Sequence, residues 1–552
     1  MARGVRFRGR TTAPRAGETL LAHLARSGFP VVQRSIRYHR PRGPLCGVGA
    51  CSQCLVRVNG MPNVRACEYV PADGDRIETE NAWPSPRWDL LGAFDLLFPR
   101  GLDTLHGFRR PRFASPLYQR VVRRLAGYGR LPDPPTGAAP PVGERLRTDA
   151  LVIGGGASGR AAADRLVGEG IATLVLDRSA GSPTVEGTEW RAGTTVTFLP
   201  KPDPSQSHPF LAIATGPNGT ALVVRARHVV VAIGGYDGPL LFPGNDRPGV
   251  LTAEGAYAVS PEGAAPPFRR ALVFGGGPRV LRLLDRFGAQ IEAVAAPGAV
   301  LGGIAEKAAP LEIPVHPRSL LLGVSGRGRV RRAHLRTRGG GTAADLDIDA
   351  VILAHRRLPN AQLFYQAGAQ MEWRRATGAY APVLGRDGAT SVPGLFAAGT
   401  AGGFVPDADA ASGRWAADAL LGRAGTGGPA PARAPADDPG ELEGYYRELL
   451  HGPRRRGKWI LCPCEDVLLR EVEEASARGF RGIEVVKRLT AVGTGLCQGR
   501  YCLPDALLVL AILENRAPSE VGYITQRPPF LPTPLETLAA LPDDPMEVGA
   551  RP

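Results

Sequence analysis

The sequence predicts an α/β fold with two dinucleotide-binding domains of the Rossmann-like kind, and three observations support it. An apolar run ends at a turn, residues 154–159, that reads Gly-Gly-Gly-Ala-Ser-Gly; a small-residue helix and a second apolar run ending in Asp177 follow. A similar strand–glycine–helix pattern covers residues 271–280. All eight cysteines lie outside these segments, four near each end of the chain. Apolar strands that alternate with helices are typical of parallel sheets.

The first glycine turn has the residues that a dinucleotide needs. Gly154 permits the tight turn, Gly156 lets a pyrophosphate approach the helix N-terminus, and Gly159 lets the helix lie close to the strand. Asp177 can accept a hydrogen bond from a ribose hydroxyl. The alternative is a glycine-rich turn that binds nothing. Strand–glycine segments at 229–236 and 393–403 are expected to reach the same site. The candidate cofactor-binding residues are Gly154, Gly156, Ala157, Ser158, Gly159, Asp177, Arg178, Gly234, Gly399 and Thr400.

The second glycine turn, residues 275–277, is incomplete. Val280 stands where the third glycine would be, and the next apolar run, near residues 291–294, does not end in an acid. Both departures argue against a nicotinamide dinucleotide there. The alternative is a degenerate half-unit kept for packing.

The first four cysteines have the spacing C-x4-C-x2-C-x12-C, and the first three match plant-type 2Fe-2S spacing. They are Cys46, Cys51, Cys54 and Cys67. Gly43, Gly47 and Gly49 would let a loop wrap a cluster. A zinc site is the alternative, but it would more often show two C-x2-C pairs.

The last four cysteines form a C-x-C and a C-x4-C pair separated by 32 residues. They are Cys462, Cys464, Cys497 and Cys502. Helices are predicted over 466–478, 482–490 and 503–514. Because a flavin-type domain and another cluster share the chain, a second 2Fe-2S cluster is favoured over zinc.

Composition excludes several function classes. The net charge is +15, but arginine is spread through every segment, which argues against a nucleic-acid groove. The N-terminus lacks an apolar signal region, and the late apolar run 506–513 is too short to span a bilayer. We expect no integral membrane segment and a cytoplasmic location, with a peripheral contact to the inner face of the membrane left open.

The motifs divide the chain into six segments. The predicted organisation is 1–85, the first cysteine domain; 86–145, a linker packed on neighbouring domains; 146–425, the FAD/NAD(P)-binding-type domain; 426–456, a second linker; 457–525, the second cysteine domain; and 526–552, a tail.

Together these motifs resemble one family, the α subunits of heteromeric amine and imino-acid oxidoreductases. Its members include sarcosine oxidase α, opine oxidase A, hydroxyproline and proline dehydrogenase α, and hydrogen cyanide synthase. The most specific stretch is 34–43, Arg-Ser-Ile-Arg-Tyr-His-Arg-Pro-Arg-Gly, and segments 241–250, 393–403 and 527–529 also match. The chain lacks room for the aminomethyltransferase-like domain of sarcosine oxidase α. With four cysteines near its start, it looks like a fusion of a small 2Fe-2S ferredoxin-like subunit with the FAD subunit.

The resemblance implies a two-dinucleotide-binding-domain flavoprotein with an N-terminal β-grasp 2Fe-2S domain and a C-terminal helical BFD-like 2Fe-2S domain. It implies that the chain is the subunit of an FAD-dependent oxidoreductase for CH–NH groups, beside an FAD-dependent amine oxidase-like β subunit. The expected substrate is a secondary amine or imino acid such as proline, hydroxyproline, sarcosine or an opine. The acceptor would be a quinone, cytochrome or dye. FMN at a subunit interface, and NAD or ATP at the second glycine turn, are left open.

No catalytic residue is assigned, because no clamp for a substrate carboxylate can be recognised. The run 355–357, His-Arg-Arg, follows an apolar strand and is expected to be solvated. The runner-up function is an NAD(P)H-dependent flavin or ferredoxin-type reductase. The third hypothesis is that the chain is a scaffold whose cofactors are purely structural. The incomplete second turn argues against the reductase, and the intact first turn argues against the scaffold.

Overall fold

The computed structural model describes residues 4–93, 143–341, 343–423, 430–433, 441–452 and 457–539, with a few residues between 101 and 120. The chain forms two compact units. The first unit comprises Met1–Pro134, Asp237–Arg356 and Glu441–Ile524. The second unit comprises Pro135–Tyr236, Arg357–Gly440 and Thr525–Pro552. Most of the predicted linker 86–145 and the end of the predicted tail lie outside the described residues.

The second unit is built on a seven-stranded sheet. In spatial order six of its strands are Glu189–Ala192, Thr173–Asp177, Glu144–Ile153, Ala221–Val231, Phe210–Thr215 and Thr195–Phe198, and Leu395–Ala397 also pairs with Ala221–Val231. The pairs around Glu144–Ile153 are parallel, whereas Phe210–Thr215 and Thr195–Phe198 form an antiparallel edge. Its helices are Ala157–Val167, Gln362–Gln366, Asp409–Leu420 and Leu535–Ala539.

Apolar side chains cover both faces of this sheet. Leu151, Ile153 and Val229 belong to one buried cluster, and Val152 and Val230 belong to the other, as the two-residue period of a strand requires. Helices Ala157–Val167 and Asp409–Leu420 pack closely, and a Cβ at Gly413 would lie 2.0 Å from the Ser158 carbonyl oxygen. The core therefore holds the first glycine turn rigidly at the carboxyl ends of the parallel strands.

The middle of the first unit is a five-stranded parallel sheet. Its strands in spatial order are Val250–Thr252, Ala350–Leu353, Ala271–Phe274, Ile291–Ala295 and Val315–His316. Its helices are Ala253–Val259, Pro278–Phe287 and Gly302–Ala308. An antiparallel sheet of Ser319–Ser325, Arg332–Thr337 and Ala343–Asp347 is appended to it. Two sheets of parallel strands and crossover helices confirm the α/β prediction.

The N-terminal part of the first unit has a five-stranded mixed sheet. In spatial order its strands are Arg10–Thr12, Val5–Phe7, Arg76–Glu78, Leu55–Val58 and Met61–Arg65. Helix Leu20–Arg26 begins after Thr19, whose hydroxyl accepts from the Ala22 amide at 3.3 Å. A short pair, Gln33–Arg34 with Pro41–Arg42, precedes the first cysteine loop.

The C-terminal part of the first unit is mostly helical. Short strands Ile460–Cys462 and Val467–Leu468 precede helices Leu469–Ala477, Ile483–Thr490, Leu503–Glu514 and Pro518–Val521. The three predicted helices are therefore confirmed. Helix Leu503–Glu514 is buried over its first ten residues, which its almost uniform apolarity explains.

The predicted linker 426–456 is wrong over part of its length, because Glu441–His451 is a helix. Its buried residues are Leu442, Tyr445, Tyr446, Leu449 and Leu450, which recur at helical spacing. The Tyr446 hydroxyl accepts from the Leu241 amide at 2.9 Å. The glycine- and proline-rich flanks obscured this short apolar stripe. Within the described ranges no helix is long and apolar enough to cross a membrane.

Candidate functional site: a dinucleotide cradle and two cysteine sets

The first glycine turn of the second unit has the shape of a phosphate cradle. Gly154 has φ +104°, and a Cβ there would lie 2.4 Å from the Ala232 carbonyl oxygen. A Cβ on Gly159 would lie 1.8 Å from the Gly154 oxygen, so the helix can approach the strand only with glycine. Around Gly156, in contrast, no heavy atom of a described residue other than its chain neighbours lies within 4 Å of the Cβ position. The open space therefore begins at the helix N-terminus, where a phosphate would bind.

Two buried polar atoms beside this turn have no hydrogen-bond partner in the described structure. They are Asp177 Oδ2, at the end of strand Thr173–Asp177, and Trp190 Nε1, on the neighbouring strand Glu189–Ala192. Both side chains also approach Gly155, whose Cβ position is 2.8 Å from Asp177 Oδ2 and 2.4 Å from Trp190 Cζ2. One acceptor and one donor are therefore available to a ligand, and the acceptor fits a ribose hydroxyl.

The structure brings several other predicted residues to the same edge of the sheet. Val229–Val231 pairs in register with Leu395–Ala397, so the glycines that follow both strands lie near each other. Gly399 has φ +64°, and its Cβ position is 2.4 Å from Ser158 Oγ on the helix of the first turn. The Thr400 methyl carbon lies 2.7 Å from the Cβ position of Gly235. Ala157 begins the helix, and Arg178 is exposed directly after Asp177.

Sequence reasoning missed Trp190 and Gly155. Trp190 follows Asp177 by 13 residues on an edge strand, and no motif marks it. Gly155 lies inside the motif, at a position where the glycine pattern allows any residue. Trp190 reaches the turn because its strand, Glu189–Ala192, pairs with Thr173–Asp177, and the sequence pattern does not indicate this pairing.

The first cysteine set is gathered in a buried loop of the first unit. The Cys46 thiol interacts with those of Cys51 and Cys67, and Cys67 also interacts with Cys54. The backbone amides of Ala50 and Gly49 donate to Cys46 Sγ at 3.2 Å and to Cys67 Sγ at 3.3 Å. Amides that point at sulfur stabilise the thiolates that iron requires.

The second cysteine set is gathered in the same way. Cys462 interacts with Cys464 and Cys502, and Cys464 Sγ lies 3.4 Å from Cys497 Sγ. In the described residues no group of three or more His, Cys, Asp or Glu side chains is placed to hold a metal ion. Within each set the thiols contact one another in a continuous chain. A 2Fe-2S cluster takes four cysteines in all, so two reach each iron, whereas structural zinc takes four ligands at one ion. Four gathered cysteines meet the ligand number of either group.

The two cysteine sets are neighbours. Cys464 Sγ lies 3.2 Å from the Cys51 carbonyl oxygen. Arg500 donates to the Gly49 oxygen at 2.9 Å, and Gln53 donates to the Pro463 oxygen at 2.9 Å. Each loop is thus hydrogen-bonded to the other beside a cysteine.

A buried ion-pair cluster joins the same two loops. Asp466 interacts with Arg40, from whose Nε it accepts at 2.9 Å, and with Arg42 at 3.0 Å. Arg40 also donates to Asp246 at 2.8 Å. Burial by itself would raise the pKa of Asp466, but the Arg40 and Arg42 guanidiniums hold it well below its usual range. Sequence reasoning did not find this aspartate, because Arg40 is 426 residues away in the chain.

The end of strand Val250–Thr252, in the same sheet as the strand before the second glycine turn, contacts the first cysteine loop. Thr252, at the end of strand Val250–Thr252, donates its amide to the Leu45 oxygen at 2.9 Å, and Gly255 has its Cβ position 2.0 Å from the same oxygen. The Cβ position of Gly277 is open, as it is at Gly156. Val280 is fully buried in the core, which explains why it replaces the third glycine without a void.

The expectation that residues 355–357 are solvated is wrong. Arg356 is buried, forms an ion pair with the buried Asp505, and donates to the Pro239 oxygen at 3.2 Å. His355 is half-buried beside it, and this partial burial, reinforced by the Arg356 charge, lowers the pKa of His355 well below its usual value. Arg357 donates to the Gly235 oxygen at 2.6 Å. The acid that pairs with Arg356 comes from helix Leu503–Glu514, which no local pattern could indicate.

Two family profiles match the chain at its ends. Residues 4–82 match a 2Fe-2S iron-sulfur cluster binding domain, and residues 456–541 match the sarcosine oxidase A3 domain. An N-terminal 2Fe-2S domain is therefore present.

Two curated proteins are similar over most of the chain. The alpha subunit of sarcosine oxidase from Rhizobium meliloti (strain 1021) is 27% identical over 95% of this chain and 56% of its own length. The opine oxidase A protein from Agrobacterium tumefaciens (strain Ach5) is 26% identical over 71% of this chain and 92% of its own length. The chain thus spans little more than half of the sarcosine oxidase polypeptide.

Among solved structures, the L-proline dehydrogenase from P. horikoshii superposes on this chain with a TM-score of 0.67 and 20% sequence identity. The superposition covers 97% of this chain and 97% of the dehydrogenase chain. This likeness concerns the fold. It extends over the parallel sheets, the N-terminal sheet and the C-terminal helices alike.

Proposed function

Because the chain belongs to the family of sarcosine oxidase alpha and opine oxidase A proteins, we propose that it is the electron-transfer subunit of a heteromeric amine oxidoreductase. The substrate is a secondary amine or imino acid of the proline, hydroxyproline, sarcosine or opine class. Electrons leave for an external quinone, cytochrome or dye. The protein works in the cytoplasm or at the inner face of the membrane.

The observation that carries this proposal is the contact between the two cysteine sets. Cys464 Sγ lies 3.2 Å from the backbone of Cys51, so groups bound to the two sets would be adjacent. Bound 2Fe-2S clusters supply one-electron transfer. The residues of this chain hold the thiols in place, supply amide donors to sulfur, and exclude water, because seven of the eight cysteines are buried. A purely structural role would not require two such sets to meet.

The dinucleotide of the second unit is FAD in this proposal. Gly154, Gly156 and Gly159 admit its pyrophosphate, Asp177 accepts from its ribose, and Trp190 is the nearest unpaired donor. FAD accepts two electrons from a donor. NAD or ATP shares the adenosine half of FAD, so the same residues would hold either one, and the flavin content distinguishes them. FMN at a subunit interface is a further cofactor that the family suggests.

Oxidation of the amine is assigned to a separate FAD-dependent β subunit. Two buried arginines of the first unit are already paired, Arg356 with Asp505 and Arg40 with Asp466 and Asp246. Their charges are used inside the fold. We assign the cofactor sites to this chain and the substrate site to its partner.

Metal analysis of the protein should find two 2Fe-2S clusters per chain. We expect about four irons and four acid-labile sulfides after anaerobic purification, because each set has four cysteines. Cys497→Ser should lose about half of the iron by removing one ligand of the second set. The same analysis of Cys54→Ser tests the first set. Stoichiometric zinc, or full iron content in either variant, would contradict the assignment of that set.

Reduced nicotinamides should not be the physiological reductant. The second glycine turn has the buried Val280 at its third position, and Ala295 instead of an acid ends the next strand. We expect NADH and NADPH to leave the flavin oxidised on the time scale of turnover in a stopped-flow mixing experiment. Rapid bleaching by either one would support the runner-up function, an NAD(P)H-dependent reductase. Binding of an adenine nucleotide without reduction is compatible with the proposal.

A further inference from the structure

A cleft of about 630 Å³ in the first unit is lined by arginine. Arg8 and Arg10 come from the first hairpin, Arg34 and Arg87 from the N-terminal domain, and Arg327, Arg329 and Arg331 from the loop after strand Ser319–Ser325. Among the residues that the structure describes, no acidic one lines it. We call this feature the arginine cleft. Small-molecule pockets are mostly apolar with few charges, so the arginine cleft is unlike them.

Most of these arginines form no ion pair with another described residue. Arg34 donates to the Pro86 oxygen at 2.8 Å and lies 4.0 Å from Asp89. For the other six, no carboxylate of a described residue lies within ion-pair distance. Partial burial and the neighbouring Arg10 and Arg87 charges lower the pKa of Arg8. Like charges this close favour any ligand that brings negative charge.

Large apolar side chains are exposed next to the arginine cleft. Trp83 is 60% exposed, Trp88 is 74% exposed and Leu90 is 62% exposed, and the intervening Pro86 and Arg87 line the cleft. Tryptophan and arginine are the residues most enriched at protein–protein interfaces. The combination indicates a protein partner with an acidic and partly apolar face.

Residues 94–142, most of which lie outside the described residues, do not complement the positive charge of the arginine cleft. Residues 94–142 contain eight arginines and three aspartates, with no lysine or glutamate. A segment of net positive charge gains nothing electrostatically by binding an arginine-lined surface. Residues 94–142 therefore do not supply the negative charge that the arginine cleft favours.

Residues that line one wall of the arginine cleft lie close to the first cysteine set. Pro30 lies in that wall, and its carbonyl oxygen is 2.1 Å from the Cβ position of Gly43, three residues before Cys46. Gln33, two residues after the wall, donates to the Gln53 oxygen at 3.1 Å, between Cys51 and Cys54. A protein bound in the cleft would therefore lie close to the first cysteine set.

We propose that the arginine cleft is the docking site for an acidic electron-carrier protein, such as a cytochrome with an acidic face. The claim that the carrier is reduced rests on the proposed function. The claim that it binds rests on the charge and geometry of the arginine cleft. Two oxidised carriers, each taking one electron, are reduced for every amine oxidised by two electrons, and protons pass to solvent. Transient redox complexes are small and electrostatically steered, which suits a charged cleft with an aromatic rim.

Binding and reduction should be measured separately on the purified complex of the chain with its β subunit. The probes are an acidic c-type cytochrome and a basic one. Haem quenching of tryptophan fluorescence reports binding, and amine-driven haem reduction reports transfer. We expect only the acidic cytochrome to bind, with an affinity that falls steeply as salt rises.

The decisive comparison uses two variants of equal charge. Arg10→Glu with Arg329→Glu reverses two charges of the cleft and should weaken binding roughly tenfold. Arg147→Glu with Arg414→Glu reverses two exposed charges of the second unit and should change affinity by less than about threefold. Equal weakening in both would overturn the proposal. Displacement of the cytochrome by inorganic pyrophosphate at equal ionic strength would also overturn the proposal. Salt-sensitive binding of the complex to anionic phosphatidylserine vesicles would do the same if only the Arg10→Glu, Arg329→Glu variant lost it. Specific binding without haem reduction would support docking and count against the proposed function alone.

Discussion

Replacing Asp466 by asparagine should release the two cysteine loops from each other. Asparagine keeps the shape of the side chain and tolerates the φ of +56° at this position, but it removes the charge that Arg40 and Arg42 share. Asp466 is 2% exposed and Arg40 is 4% exposed, so the guanidiniums of Arg40 and Arg42 would stay buried after losing this counter-charge, and Arg40 would keep its pair with Asp246. Removing one partner of a buried ion pair typically costs about 3–5 kcal/mol.

Hydrogen exchange measured by mass spectrometry should show this loss locally. We expect faster exchange in residues 33–42 and 460–469, and little change in the sheet of the second unit. Glu292→Ala is the matched control, since its pair with Arg270 is exposed and should contribute less than about 1 kcal/mol. Protection equal to that of the unaltered protein in both segments would show that Asp466 does not hold the loops together.

Gly156→Val should yield a folded protein without flavin. The Cβ position is open, and the backbone at φ −69°, ψ −173° is extended, so valine fits the protein itself. The new side chain would occupy the space in which the pyrophosphate approaches the helix. We expect flavin content to fall below about a tenth of normal, because a displaced phosphate loses its charge-assisted hydrogen bonds.

Three control variants show which site holds the flavin. Gly482 also precedes a helix and also has an open Cβ position, so Gly482→Val should keep its flavin. Gly159→Val should fail to fold, since its Cβ would lie 1.8 Å from the Gly154 oxygen. Gly277→Val alters the second turn in the equivalent position. Loss of flavin in Gly277→Val with retention in Gly156→Val would place the flavin in the first unit and contradict the assignment.

Local patterns predicted the elements that short-range physics determines. The first glycine turn follows from the steric needs of a strand–turn–helix, which only glycine meets at residues 154 and 159. The helices of the second cysteine domain follow from apolar periodicity, and the structure has them at Leu469–Ala477, Ile483–Thr490 and Leu503–Glu514. The cysteine groups followed from spacing alone, and the structure gathers each group.

Long-range pairing accounts for what the sequence could not show. Asp466 and Arg40 are 426 residues apart, and Arg356 and Asp505 are 149 apart, so their partners depend on how the domains pack. Trp190 reaches the cradle only because its strand pairs with Thr173–Asp177. The helix Glu441–His451 was hidden between glycine- and proline-rich segments. Charges that looked solvated along the sequence are therefore buried in the structure.

The most direct test of the central claim is amine-driven dye reduction by the chain alone and by the chain co-expressed with an FAD-dependent amine oxidase-like partner. The panel should contain proline, hydroxyproline, sarcosine and an opine. Flavin and iron content should be matched between the two preparations, so that a missing cofactor cannot explain a difference. The account predicts turnover only in the complex, because this chain provides cofactor sites and its partner provides the substrate site. Full turnover by the isolated, cofactor-replete chain would contradict it.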